Sequence, residues 1–300
     1  MDPAVQKRFH VASLSIDLRH NVSMNKSIRN SLSHYRKYMI SAGGRSISAA
    51  RGIVTIMDDL VRAMDAAASP ENARALSRYF KVSPGSYGEG DIFLGLKVGE
   101  LRQLAKPYVV SAFEPAEWLP LLRSPIHEHR LITLIVMSER ARKSVRRPDD
   151  GELRLIYETY LGNTSHVNNW DLVDVSCGPI VGGYLLDRDR APLYQLVQSD
   201  LLWERRIAMV SSQHFLPRRE ADDLYRLAVI LLSDRHDLIH KAVGWSLREA
   251  GKRVDRDELR RFLDQYAPVM PRTALRYAIE HFEPAERQHY LAIPRQPRPA

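Results

Sequence analysis

Three hundred residues can bury a substantial core, as one long domain or two small ones. A composition of 44% hydrophobic and 27% charged residues is that of an ordinary globular protein, and no apolar run approaches the roughly 18 residues of a bilayer span. A single cysteine, Cys177, excludes an intramolecular disulfide and, with no signal-like apolar stretch at the start, points to a reducing, cytoplasmic setting.

The net charge of +8 is concentrated at the start. Residues 1–52 hold nine basic and two acidic side chains; the other 248 hold 35 and 34, close to balance. Residues 1–51 therefore read as a basic, Ser-rich extension, disordered or reaching ahead of a true start at Met24, Met39 or Met57. A targeting segment and a basic DNA-binding arm are the other readings.

From residue 52 the chain predicts helix after helix, as one domain over 52–293 before a Pro/Arg-rich tail, 294–300. Ser69-Pro70 starts a helix with a capping Ser and a proline in the first turn, burying Ala75, Leu76, Tyr79 and Phe80. Residues 83–91 form the longest loop. Val98, Leu101, Leu104 and Ala105 give helical spacing, and Leu131–Val136 a more fully buried helix. A break at Arg146–Asp150 and stops at Gly178-Pro179, Pro192, Pro217, Ser233-Asp234, Gly251, Pro268, Pro271 and Pro284 divide the second half of the chain. No stretch alternates like a strand with a hairpin turn. The expected fold is all-α, a HEAT-like solenoid of stacked helix pairs.

Trp170, Trp203 and Trp245 lie 33 and 42 residues apart, each expected near a helix start. Two are followed within three residues by an Arg and the third within four by an acid. A repeat that places aromatic, basic and acidic groups at matching points builds one binding face. Trp170, Val173 and Asp174 share a helix face by their i, i+3, i+4 spacing. From spacing alone, two readings stand: a functional cluster, or core tryptophans with Asp171, Asp174, Arg205 and Arg206 as capping or solvated charges. His236 and His240 have the spacing of a zinc-protease helix but no general-base Glu and no third ligand, so capping and packing are expected rather than metal binding. Gly88-Glu89-Gly90 has neither the preceding strand nor the third glycine of a dinucleotide loop. Cys177 is expected in a helix core.

Several stretches occur in one order: Tyr87–Gly95, Ser124–Arg130, Asn169–Asp174, Trp203–Ala208 and Ile239–Glu249. With these the chain from about 52 to 292 resembles the AlkD-like DNA glycosylases of the DNA alkylation repair family. The resemblance implies HEAT-like repeats with a concave, basic DNA-binding face. It also implies removal of N3- and N7-alkylated purines from duplex DNA without base flipping. The family's catalytic acid falls on Asp174 and its aromatics on Trp170 and Trp245; DNA-binding positions fall on Arg206, Arg248 and Lys241. Arg206 is expected to hold a phosphate. No metal, organic cofactor or obligate protein partner is implied; the partner is alkylated double-stranded DNA. One departure is Asn169, where family members often carry a second aromatic. A non-catalytic module for bent or branched DNA and a protein-interaction scaffold are the rival functions.

Overall fold

A computed structural model describes residues 47–145 and 151–296, with side chains from Met57 onward. The predicted extension therefore lies outside the described residues except for its last few, and so do the predicted break at 146–150 and most of the tail. Among the described residues there is no strand; Ile92 and Ile126 form an isolated bridge.

Helices α1 (Ile47–Ala66) and α2 (Pro70–Tyr79) come first. As expected, Ser69 caps α2, its hydroxyl accepting from the Asn72 amide at 3.3 Å, with Pro70 opening the first turn. The buried face expected for α2 is not observed. Ala75 is exposed and Tyr79 is 63% exposed, and burial begins at Phe80, just past the helix. A short helix at the end of the stack packs through its exit, not along its length.

The rest is two rows. The inner row is α3 (Val98–Ala105), α5 (His127–Ser144), α7 (Trp170–Cys177), α10 (Leu202–Ser211), α12 (Asp237–Arg253) and α14 (Arg272–Ala278), each packed on the next. The outer row is α4 (Pro115–Leu122), α6 (Gly151–Leu161), α9 (Ala191–Leu196), α11 (Asp222–Leu231) and α13 (Arg256–Tyr266), each against an inner helix. The short α8 (Gly183–Leu185) continues α7, and α15 (Pro284–Ala292) comes after α14. The fold is all-α, with successive helix pairs. Helix α5 is covered all round and is buried from His127 to Ser138, as its apolar run predicts. Outer helices show the opposite pattern: α13 buries Leu259, Phe262 and Leu263 and turns its charges outward. Residues such as Leu134, Leu172, Ile207, Val243 and Leu275 join one continuous core. Truncating one of them to Ala would cost about 2–5 kcal/mol.

Two predicted stops are not stops. The chain runs through Gly178-Pro179 as a wide π turn (Gly178–Gly182) into α8, which accommodates the missing proline N–H without ending the helix. Gly251 lies inside α12, where a Cβ would come within 2.4 Å of Leu259, so it is a packing glycine between α12 and α13. Among the described residues no helix is long and apolar enough to cross a membrane.

Candidate active site

The inner helices run parallel, so their N-terminal turns lie side by side. Side-chain bonds between their first two turns mark the edge: His127 of α5 meets Asp171 of α7, Asp174 of α7 meets Arg206 of α10, Arg206 meets the Leu238 carbonyl of α12, and Thr273 of α14 meets Asp237 of α12. Parallel N-termini bring their positive dipole ends together, a setting that favours anions.

At the middle of this edge is a carboxylate–guanidinium pair. Arg206 donates through Nε and Nη2 to the two oxygens of Asp174, at 2.9 and 2.7 Å, and through Nη1 to the Leu238 carbonyl at 2.6 Å. The Arg206 side chain is 6% exposed, whereas that of Asp174 keeps 20%. Burial pushes the Asp174 carboxyl above its ordinary range; Arg206 offsets part of this and neighbouring Asp171 adds to it. The guanidinium fixes both carboxylate oxygens, because a planar fork leaves the acid one orientation.

Trp170 opens α7 and is half-buried. Its ring stacks on Phe80, with centroids 5.4 Å apart, and Tyr79 meets it edge-on at 6.0 Å. Beneath this pair, Phe80 stacks on Phe93 and Phe93 on the His127 ring, at 5.2 and 4.6 Å. Asn169 caps α7, its carbonyl oxygen accepting from the Trp170 amide at 2.8 Å while its amide reaches Asp91 at 3.4 Å. An aromatic here could do neither, which gives the unusual asparagine a local reason.

His127 sits between Asp91 (3.0 Å, through Nδ1) and Asp171 (2.8 Å, through Nε2), and Arg130 holds the other Asp91 oxygen at 2.6 Å. Burial opposes the imidazolium, but the hydrogen bonds to Asp171 and Asp91 outweigh it and push the His127 pKa up to about 9. Burial likewise works against the Asp91 charge, and His127 and Arg130 hold its carboxyl below the ordinary range. Glu128, also buried, accepts from the Leu94, Gly95 and Leu96 amides and pins the chain entering α3. None of these roles is visible from sequence spacing. The two stretches that carry them, 87–95 and 124–130, were visible only as parts of the family pattern.

The other site residues are spread along α10 and α12. Trp203 stands in the first turn of α10, one turn before Arg206, and Tyr87 of the 83–91 loop meets it edge-on at 6.2 Å. Trp245 is not near a helix start: it lies two turns beyond Leu238 in the middle of α12, half-buried against the core. It shares a face with Lys241 and Arg248 by helical spacing. Among the described residues it makes no hydrogen bond or ring contact to Asp174. Lys241 is half-exposed and pairs with Asp237 at 2.8 Å. Arg248 is held by Glu249, at 3.2 Å, and by Glu280. Neither Arg205 nor Arg206 is a solvated charge. Arg205 binds Asp234 at 2.7 Å and the Ser199 and Asp200 carbonyls.

His236 caps α12 by accepting from the Leu238 amide, and His240 bonds the Asp234 carbonyl at 2.7 Å. Both do the local work the sequence suggested, and among the described residues no cluster of three or more His, Cys, Asp or Glu could hold a metal. Cys177 is buried, and burial pushes its thiol up to about 12, so it stays protonated and unreactive.

Comparison with known proteins bears on the fold and the family. A solved structure described as a predicted DNA alkylation repair enzyme from Enterococcus faecalis superposes with a TM-score of 0.54 at 18% identity, over 72% of this chain and 97% of that one. At that identity the likeness speaks for the fold. No curated protein matches the chain. The family model for DNA alkylation repair enzymes matches residues 60–282, which include every residue placed along the helix edge, and the chain belongs to that family.

Proposed function

We propose that this DNA alkylation repair enzyme is a monofunctional DNA glycosylase that hydrolyses the N-glycosidic bond of cationic N3- and N7-alkylpurines in duplex DNA. The observation that carries the reading is Asp174: a carboxylate oriented through both oxygens, kept partly open, on an edge of parallel helix N-termini beside Trp170.

An N3- or N7-alkylpurine already carries a positive charge, so it leaves without a general acid. As the C1′–N bond lengthens, its electron pair moves onto the purine, which departs neutral, and positive charge develops on the deoxyribose. Asp174 faces that charge. At about 4 Å and an effective dielectric of 20 the attraction is roughly 4 kcal/mol, nearly a thousandfold in rate. Water then adds to C1′ and its proton passes to Asp174 or solvent. The electron-rich faces of Trp170 and Trp245 suit the same cationic sugar.

Nothing in the sequence hints that Arg206 is already committed on three nitrogens. Its part in this mechanism is to set the carboxylate and lend positive potential to a nearby phosphate, rather than to clamp one through a free fork. A carboxylate, a guanidinium and indoles suit a sugar and its phosphate better than base edges. Recognition from the backbone side, with the lesion left stacked, is the mode that such a set of groups supports.

The test is release of free base from duplexes carrying N7-methylguanine or N3-methyladenine, by wild type and Asp174→Asn. Release by wild type, at least tenfold slower in the variant with duplex binding kept, supports the mechanism. No release from either lesion with duplex binding intact would make the chain a non-catalytic DNA-binding member of the family.

A further inference from the structure

The segment 79–91 is built to hold two tyrosines against two tryptophans. Tyr79, at its start, meets Trp170 edge-on at 6.0 Å, and Tyr87, in its middle, meets Trp203 edge-on at 6.2 Å. The Tyr87 hydroxyl donates to the Tyr79 carbonyl at 3.4 Å. The loop between them is fixed at both ends. At Gly88 a Cβ would come within 2.3 Å of the Phe80 carbonyl oxygen, so the backbone there lies directly on the residue that stacks under Trp170. Three residues on, Asp91 is locked by His127 and Arg130. Inside the loop the Gly85 amide donates to the Glu89 carboxylate at 2.7 Å, and turns close from Ser86 to Ser83 and from Glu89 to Ser86.

So much fixation leaves Tyr87 half-buried and still open to one side. Lys241 of α12, one turn on from the Leu238 carbonyl that Arg206 holds, carries its half-exposed ammonium within electrostatic range of the Tyr87 and Tyr277 hydroxyls. Trp203 and Arg206 are one helical turn apart on the same face of α10, so the Tyr87–Trp203 pair is one turn from the guanidinium that holds Asp174. An aromatic pair with a half-exposed ammonium in electrostatic range has the chemistry of a nucleotide contact: ring faces and edges for a base or sugar, a point charge for the phosphate.

Resting on the reading that this face takes DNA, we propose that Tyr87, Trp203 and Lys241 form a second nucleotide-contact subsite, which holds the nucleotide next to the lesion while Trp170 and Asp174 address the lesion itself. The subsite is presented by the fixed 79–91 segment, so it exists before DNA arrives. It adds affinity that does not depend on salt, because the aromatic contacts release no counterions, alongside one salt-dependent contact from Lys241.

The experiment measures binding of an undamaged fluorescent duplex to the full chain across a series of salt concentrations. Tyr87→Ala is expected to weaken binding at least fivefold at every salt concentration, with the slope of log K against log salt unchanged, and Tyr87→Phe to recover the affinity. Lys241→Gln is expected to flatten the slope by about one. A Tyr87→Ala variant within twofold of wild type, or one whose slope falls with its affinity, would overturn the subsite. Should Tyr87→Ala fail to fold, tryptophan emission during duplex titration decides instead. Trp203→Phe should lose a distinct part of the DNA-induced change, and an unaltered change overturns the proposal. Both readouts are of binding, so absence of base release would sink the glycosylase and leave this result standing, and the reverse also holds.

Discussion

Two clusters of the same chemistry lie on the same helix edge and differ in one respect. At α5 and α7, Asp91, His127, Asp171 and Arg130 make a chain of charges in which the His127 and Asp91 side chains are each 2% exposed. At α7 and α10, Asp174 and Arg206 make a two-bond pair whose carboxylate keeps one side open. In the first, each acid is met by a cation and the charges are favoured, the histidine gaining its proton and Asp91 losing its own. In the second, burial still dominates the acid and raises it. A closed cluster uses its electrostatics to hold elements together, whereas a carboxylate oriented but left partly open can still face something that binds later.

Substitution should separate the two most sharply. His127→Gln leaves Asp171 without its cation inside the structure and should destabilise the fold by about 3–5 kcal/mol, read as a lower urea midpoint. Asp174→Asn should act chiefly on rate, slowing base release at least tenfold per folded molecule; it also removes the counter-charge of buried Arg206 and turns an NH2 toward one guanidinium N–H, so a smaller stability loss of about 1–3 kcal/mol accompanies it. If both variants lost stability alike and kept their rate per folded molecule, the distinction between the clusters would be gone.

Acidity offers the next test, since the clusters titrate at opposite ends. The His127 pKa is raised to about 9 in the fold from an ordinary 6.5. Its contribution is therefore full below pH 6.5 and lost as pH rises through 9, a span worth about 3 kcal/mol. Urea unfolding at pH 6 and pH 9.5 should show that loss in wild type and not in His127→Gln. Asp174 acts at the other end. Base release should fall toward acid as its carboxylate protonates, with a midpoint above the ordinary aspartate value of 3.8.

The contrast also explains what the sequence could and could not show. Apolar periodicity in 98–105 and 131–136, the Ser69-Pro70 start and the absence of strand patterns all report local physics, and the all-α fold was legible from them. Asp174, Trp170 and Arg206 were legible as a group only through the family pattern, since helical spacing alone left open whether they form a functional cluster or serve as core, capping and solvated residues. The pairing of Asp174 with Arg206 spans 32 positions and that of Asp91 with Asn169 spans 78. Contacts of that reach depend on how the helices stack, which no local spacing encodes. Gly178-Pro179 and Gly251 misled for the opposite reason: they are helix breakers by propensity, and packing between helices overrode the propensity.

Glu128 extends the closed cluster by a second anchor. Its two oxygens serve three backbone amides of residues 94–96, one of which belongs to Gly95 in a left-handed conformation. Glu128→Gln replaces one acceptor with a donor facing an amide N–H. It should cost about 2 kcal/mol and loosen residues 94–96, seen as faster amide hydrogen exchange there while α12 keeps its protection.

The smallest effect tests the open side. Arg248 matches a DNA-binding position by resemblance, yet Glu249 and Glu280 already hold it, and its side chain is 18% exposed. A cation with two carboxylate partners must give one up before it can meet a phosphate, and the exchange returns little because one charge contact replaces another. Among the described residues Lys241 has one carboxylate partner, Asp237, and is more open. Arg248→Gln should therefore weaken duplex binding less than Lys241→Gln and flatten the salt slope by less than one. Glu280→Gln, which frees one side of Arg248, should tighten binding. If Arg248→Gln instead proved the stronger loss, DNA must break the Glu280 pair on docking, and its contacts would run along α12 as far as the chain just past α14.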